Sequence, residues 1–289
     1  DTDPQMLVED AREHGFSEAS VERLVRHFRR RREYDTLVET LVRLVDEVPD
    51  ERVKAELLWR AAKTCDAETG DVVRAGALIQ RLLTFAPRHY RAHLRLADHY
   101  RDLQDWEKTT QHLEAAARLI HDKSDRAGVY RDLGEIYETH LGRRSLALES
   151  YLVSFICRSD DVRTFKRLEA LYESMGRYRD LVGSYDIAIQ HARQTPGESE
   201  LDLEDLLFQK ARIEFQHLND PTRASETLLA AIELNPREIH YVDLMVTALA
   251  RHVGKEPVRR ALEMHIAALP DPERATARQR PDWSAYLGA

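Results

Sequence analysis

The chain has 289 residues, with 43 Lys or Arg against 51 Asp or Glu, so its formal net charge is −8 and its pI is near 5.9. This balance argues against a dedicated nucleic-acid-binding protein, because phosphate contacts need a basic field. Glycine, a turn-forming residue, occurs only 11 times, which is too few for an all-β sandwich or barrel with its many turns. No apolar run approaches the roughly 18 residues that predict a membrane span.

Residues 1–17 precede the repeats described below, and we expect them to supply a flanking or capping helix that Gly15 closes. The chain opens at Asp1 without an initiating methionine. That opening predicts an excised segment or a mature form.

Six copies of one apolar pattern then occupy residues 18–236. One position of the pattern is held in turn by Leu37, Ala75, Thr109, Ala147, Leu181 and Ala224. The first five are 38, 34, 38 and 34 residues apart, so the true unit is a pair of repeats 72 residues long. The last step, of 43 residues, contains a linker-like loop at 194–200. Such phasing predicts a stack of helical hairpins that bury one another's apolar faces.

Residues 237–269 predict a degenerate seventh hairpin that turns near 254–257. In the tail, 270–289, three prolines are expected to end regular structure. They are Pro270, Pro272 and Pro281. The remaining segment around Trp283 and Tyr286 either caps the last apolar face or forms an exposed docking motif, and terminal repeats need covering, which favours the cap.

Within each copy the residue types succeed one another in a fixed order. A Leu-Ala or Leu-Gly step, as at Leu96–Ala97 and Leu133–Gly134, precedes a tyrosine, a turn, an alanine and often a closing proline. This succession resembles the tetratricopeptide repeat family, in the form of a bacterial-type solenoid. The resemblance implies an all-α fold, a right-handed superhelical solenoid of antiparallel helix pairs.

Small residues are expected where the two helices of a hairpin approach each other most closely. The positions are Ala62, Ala97, Gly134 and Ala211. Two copies depart from the pattern, with Val25 and Glu169 at the same place, so successive hairpins are expected to pack differently.

The resemblance implies that a concave surface, lined mainly by the first helix of each hairpin, binds a peptide or helix of a partner protein. At the lining positions this sequence carries cations and aromatic residues: Trp59, Arg60, Lys63, Arg91, Arg95, Arg163, Lys166, Arg167, Phe208 and Arg212. Arginine suits carboxylates and aromatic rings anchor apolar side chains, so we expect an acidic, partly apolar ligand. In the alternative, these arginines pair within the chain with Asp98, Glu135 and Glu138.

Chaperone-binding members of the family clamp the terminal carboxylate of a peptide with lysine, asparagine and arginine. Arg91 and Arg95 match the last basic pair of that clamp, but Glu22, Arg26 and Arg60 replace its lysine and two asparagines. A clamp for chaperone tails is therefore not expected here.

The sequence predicts neither a catalytic site nor a cofactor. It has no glycine-rich phosphate loop, no strained nucleophile turn and no cysteine with a histidine at a known family spacing. His89 and His93 have a helical metal-ligand spacing but no third ligand beside them, so no metal site is expected. Cys65 and Cys157 are predicted to be buried free thiols, which indicates a reducing, cytoplasmic compartment.

Two function classes remain after these exclusions. The first is a scaffold or adaptor that holds a protein partner. The second is a regulatory or sensory module whose groove accepts a peptide or nucleic acid and controls a fused or partner effector.

Overall fold

A computed structural model describes residues 4–287 of the chain. This part consists of helices joined by short turns, without a strand, and successive helices pack as pairs. The predicted all-α fold of helix pairs is therefore confirmed. Residues 1–3 of the predicted N-terminal flank and 288–289 of the predicted tail lie outside the described residues. No helix within 4–287 is both long enough and apolar enough to cross a membrane.

The first of two compact units ends at Gly142. From its first helix to its last, neighbouring helices of this unit pack against each other in chain order. Their bounds are α1 Pro4–Glu13, α2 Glu18–Arg31, α3 Tyr34–Glu47, α4 Glu51–Thr64, α5 Val72–Phe85, α6 Tyr90–Asp102, α7 Trp106–Leu119 and α8 Lys123–Thr139. A π-helical segment, Cys65–Thr69, continues α4 before the turn into α5.

The second unit starts at Arg143. Its helices are α9 Arg144–Cys157, α10 Val162–Ser174, α11 Tyr178–Gln194, α12 Leu203–Gln216, α13 Pro221–Leu234, α14 Ile239–Leu244, α15 Ala250–Val253, α16 Lys255–Ala268, α17 Asp271–Arg278 and α18 Pro281–Leu287. A π-helical segment, Met245–Leu249, joins α14 to α15. Helices α9 to α13 pack in sequence, α13 packs against α16, and α16 carries α17 and α18.

Aspartate side chains start many of these helices. Each accepts a hydrogen bond from a backbone N–H of the first helical turn, at Asp50, Asp71, Asp105, Asp122, Asp161, Asp202 and Asp220. Such a cap contributes about 1 kcal/mol because it satisfies a donor that the helix itself leaves unpaired. Because each aspartate caps the start of a helix, these residues mark where the preceding turn ends.

The small residues predicted at helix crossings are buried, at Ala62, Ala97, Gly134 and Ala211. At the equivalent place in α10, Glu169 is half-buried and accepts a hydrogen bond from the hydroxyl of Tyr185 on α11. That hairpin therefore has a hydrogen bond between its two helices at the place where four of the other hairpins have a small residue.

The expectation that the three C-terminal prolines end regular structure is wrong. Pro270 caps α17, Pro272 lies in its first turn, and Pro281 opens α18. Proline suits these positions because the first turn of a helix leaves its N–H groups unpaired in any case. Trp283 of α18 is only 1% exposed and contacts the ring of His265 on α16 edge-on.

Two smaller expectations also differ from the structure. The turn predicted at 254–257 is confined to Gly254, at φ 79°, because the next three residues already belong to α16. Cys65 is buried as predicted, but Cys157 is half-buried because it is the last residue of α9.

Candidate functional site

The predicted binding residues are divided between the two units, so each unit presents its own first-helix face. The first-helix face of the first unit is formed by the exposed sides of α2, α4 and α6. It holds Trp59, Arg60, Lys63, Arg91 and Arg95. The corresponding face of the second unit, formed by α10, α12 and α14, holds the other five residues.

Arg60 lies between two carboxylates of the first unit. Its Nη1 atom is 2.6 Å from Glu22 Oε2 on α2, and its Nε atom is 2.7 Å from Glu56 Oε1 on α4. Burial alone lowers the pKa of Arg60, but the hydrogen bonds to Glu22 and Glu56 outweigh it and raise the pKa above the ordinary value. A guanidinium held in this way stabilises the contact between α2 and α4.

Arg95 and Arg101 continue the same arrangement along the face. Arg95 Nε is 2.6 Å from Asp66 Oδ2 in the π-helical segment, and Arg95 also approaches Asp98. Arg101 lies 3.2 Å from Asp98 and 3.4 Å from Asp132 on α8. We call these contacts, together with those of Arg60, the inter-hairpin ladder. Its members are Glu22, Glu56, Arg60, Asp66, Arg95, Asp98, Arg101 and Asp132.

Burial raises the pKa of Asp132, while Arg101 acts against that rise. At Arg60 and Arg95 the ladder therefore agrees with the alternative interpretation, in which the arginines bind carboxylates of their own chain. Three of its carboxylates, Glu22, Asp66 and Asp132, lie 29 to 38 residues away from the arginines that they bind, so the sequence did not identify these pairs.

The remaining predicted residues of the first unit surround the start of α6. Trp59 is half-buried against the ring of His89, whose Nδ1 atom accepts the capping hydrogen bond of the helix. Arg91 is exposed and donates to the hydroxyl of Tyr90, and Lys63 is exposed on α4. Burial lowers the pKa of His89, so this histidine is neutral at pH 7.

In the second unit, α10 carries an exposed stripe with helical spacing. Arg163, Lys166 and Arg167 lie in its first six residues, and Ala170 extends the stripe by one turn. The start of a helix is the positive end of its dipole, where cations are disfavoured by about 0.3–1 kcal/mol each. Asp161, which accepts two backbone N–H groups at the cap, supplies one negative charge there.

Helix α12 supplies the aromatic part of this face. Phe208 is half-buried, with its ring centroid 4.9 Å from that of Tyr241 on α14. Arg212, one turn further along α12, is exposed and donates to Gln209 Oε1 at 2.9 Å. The faces of α10 and α12 are close enough for Asp205 on α12 to help raise the pKa of Glu169 on α10, although burial is the larger cause.

One buried polar cluster of the second unit was not predicted from the sequence. Lys210 Nζ is 2.6 Å from Asp186 and 3.5 Å from Glu214, which is itself 3% exposed and accepts from the hydroxyl of Thr227. Burial raises the pKa of Glu214, and Lys210 and Thr227 oppose that rise. Asp186, Lys210 and Thr227 line an open cavity of about 480 Å³ between α11, α12 and α13.

Comparison with known families gives one match. The tetratricopeptide repeat model matches residues 164–199, which cover most of α10, all of α11 and the turn that follows. No curated protein sequence matches the chain.

Solved structures of similar fold include three repeat proteins of low sequence identity. MamA is 17% identical, with 58% of this chain and 94% of MamA covered and a TM-score of 0.40. YrrB, described as a TPR protein with an unusual peptide-binding site, is 16% identical, with 71% and 97% covered and a TM-score of 0.39. A tetratricopeptide repeat protein from Parabacteroides merdae is 13% identical, with 99% of both chains covered and a TM-score of 0.41. Because these TM-scores are low, we assign no contact or partner of these proteins to the present chain.

Proposed function

We propose that this chain is a tetratricopeptide repeat protein and acts as a non-catalytic scaffold or adaptor that binds a peptide or helix of a partner protein. The ligand is acidic and partly apolar. The binding surface is the first-helix face of the second unit, on α10 and α12.

The observation that carries this proposal is the cluster of Arg163, Lys166 and Arg167 at the start of α10. All three side chains are exposed, in a protein of net charge −8. Arg163 lies in the first turn, beside the positive end of the helix dipole, and Lys166 and Arg167 continue the exposed stripe, so their placement together favours a role in binding an anion.

The neighbouring helix provides what an acidic peptide with an apolar side chain needs. Phe208 presents a half-buried ring, and Arg212 adds a fourth exposed cation one turn away. Aromatic and arginine side chains are the residues that most often dominate the energy of an interface. A peptide that alternates carboxylates with apolar side chains matches this combination of charge and ring.

The first unit is a weaker candidate for the same role because its central arginines are less accessible. Arg60 and Arg95 are half-buried, whereas Arg163, Lys166 and Arg167 are exposed. We therefore place the binding surface on α10 and α12.

The test uses the full chain and a short fluorescein-labelled peptide that alternates Glu with Leu and Phe. Fluorescence anisotropy compares the wild type with the triple variant Arg163→Gln, Lys166→Gln, Arg167→Gln. We expect binding of the triple variant to be weaker by roughly tenfold or more, because three charge-assisted contacts are lost. The matched control changes Arg29, Arg30 and Arg31 to Gln, which removes the same charge from an exposed run in the first unit.

Two outcomes contradict the proposal. In the first, the α10 triple variant binds the peptide as tightly as the wild type; in the second, the α10 variant and the control variant lose the same affinity. A single-stranded oligonucleotide is the second probe. If the oligonucleotide binds this face more tightly than the peptide does, and its affinity falls steeply as salt rises, a regulatory module with a nucleic-acid ligand becomes the better hypothesis than a scaffold.

A further inference from the structure

Two histidines of the third hairpin bring their ring nitrogens together across α6 and α7. The Nδ1 atom of His93 is 3.1 Å from the Nδ1 atom of His112, and the ring centroids are 5.4 Å apart. Both side chains are half-buried. The two residues are 19 positions apart, so the pair is a product of the hairpin and not of spacing along one helix.

The other contacts of these rings fix how their nitrogens are used. His93 Nε2 is 3.0 Å from the carbonyl oxygen of Pro87, which only accepts, so this nitrogen carries a hydrogen. In the neutral ring the Nδ1 atom of His93 then carries a lone pair, which accepts the hydrogen on Nδ1 of His112. Tyr100 lies parallel to the His112 ring at 5.5 Å and holds its orientation.

We propose that His93 and His112 bind one divalent transition-metal ion, of the Cu²⁺, Ni²⁺ or Zn²⁺ class, through their two Nδ1 atoms. Nitrogen ligands at about 2.0–2.1 Å from a metal lie ~2.9 Å apart at a right angle and ~3.3 Å apart at the tetrahedral angle. The observed separation of 3.1 Å falls between these values. On binding, the hydrogen that His112 Nδ1 donates to His93 in the metal-free pair leaves Nδ1, and the neutral ring carries its hydrogen on Nε2.

The surroundings of the pair support this assignment. The hydrogen bond from His93 Nε2 to a backbone carbonyl is the outer contact that orients most metal-binding histidines.

The rest of the coordination shell determines which metals the site accepts. Residues 4–287 contain no group of three or more His, Cys, Asp or Glu side chains that is arranged for a metal. Water must therefore complete the shell. Imidazole ligands without a carboxylate select against Ca²⁺ and Mg²⁺, and among the favoured ions Cu²⁺ binds most tightly.

The experiment titrates Cu²⁺, Ni²⁺ and Zn²⁺ separately into the full chain by isothermal calorimetry at pH 7.5, with glycine as a competing chelator for Cu²⁺. We expect one site, and we expect His112→Gln to weaken it roughly 10²-fold, because the second imidazole binds intramolecularly in the wild type. His93→Gln should have the same effect. His121→Gln, which removes an exposed histidine from the turn between α7 and α8, is the matched control and should leave the site unchanged.

A second measurement does not depend on the variants folding. Proton–nitrogen spectra of the wild-type histidine side chains should show Zn²⁺ shifting the Nδ1 signals of His93 and His112 while those of the other histidines stay in place. Unchanged signals for this pair, or retention of the calorimetric site in His112→Gln, would overturn the proposal and leave a hydrogen-bonded histidine pair.

Discussion

The substitution Arg60→Met separates a structural from a ligand-binding role for the best-connected arginine of the inter-hairpin ladder. The Arg60 side chain is only 18% exposed, whereas its partners Glu22 and Glu56 are 46% and 49% exposed. Methionine keeps the aliphatic stem that packs between α2 and α4, so the substitution removes the charge and its hydrogen bonds and little of the volume.

The expected loss of stability follows from the exposure of the two carboxylates. Because Glu22 and Glu56 are about half exposed, water replaces the arginine at both, and neither becomes an unpaired buried charge. Exposed ion pairs contribute about 0.2–1 kcal/mol each, and hydrogen bonds to a mostly buried guanidinium lie toward the upper end of that range. We therefore expect Arg60→Met to lower the free energy of unfolding by about 1–2 kcal/mol.

A double-mutant cycle measures the part that belongs to one pair. Urea unfolding followed by circular dichroism compares the wild type, Arg60→Met, Glu22→Gln and the double variant. We expect a coupling energy of about 0.5–1 kcal/mol at 50 mM salt that shrinks at 0.5 M salt as the Debye length shortens. Arg88→Met removes an exposed arginine from the turn before α6 and should change stability by less than about 0.5 kcal/mol.

A coupling energy within experimental error of zero at low salt would show that the contact between Arg60 and Glu22 does not stabilise the stack. Binding of the acidic peptide gives the second readout. Arg60→Met should leave that binding unchanged, and a loss as large as that of the triple variant on α10 would move the binding surface to the first unit.

Two further predictions concern packing and pH. A Cβ atom added at Gly76 would lie 3.0 Å from the ring of His99, so Gly76→Leu should lower the free energy of unfolding by about 1–3 kcal/mol. At Gly128 on α8 a Cβ atom meets nothing within 4 Å, so Gly128→Leu is the control and should not lower it. Similar denaturation midpoints for the two variants would refute the close approach at Gly76. Burial raises the pKa of Glu169, so the folded chain binds this proton more tightly than the unfolded chain, and the wild type gains stability as pH falls from neutrality through that pKa. Glu169→Gln keeps an acceptor for Tyr185 but has no such gain. Wild-type stability should therefore rise relative to the variant as the pH falls from neutrality, and parallel stability profiles in urea unfolding would refute this.

The helices could be predicted from the sequence because the information is local and repeated. Apolar residues at helical spacing, phased over six copies, leave one arrangement in which every hairpin buries its face. The prediction failed at Pro272 and Pro281 because proline breaks a helix from inside but also begins one well. Asp271 before Pro272 is the signal that distinguishes the two cases, since acidic residues favour a first helical turn.

The inter-hairpin ladder could not be predicted because side chains on one face have several partners within reach. The register places Arg95 near carboxylates of both neighbouring helices, but only the structure selects Asp66, 29 residues away, as its closest partner. The pairing of His93 with His112 was missed for the same reason. Helical spacing relates His93 to His89, one turn away, whereas the contact of His93 is with the antiparallel helix.

The 72-residue period has a physical counterpart at the hairpin turns. Trp106 begins α7 and stacks on His140 at the end of α8, with ring centroids 3.6 Å apart, and Tyr178 begins α11 and stacks on His217 at the end of α12, at 3.8 Å. The two histidines have nearly the same backbone angles, φ −107° and −111° with ψ −33° and −32°. In the first pair of hairpins the position 72 residues before His140 is Glu68, in the π-helical segment, so no such histidine is present there. Each stack joins the second helix of an odd hairpin to the first helix of the next even one. Its contribution therefore stabilises the contact between hairpins rather than the hairpins themselves.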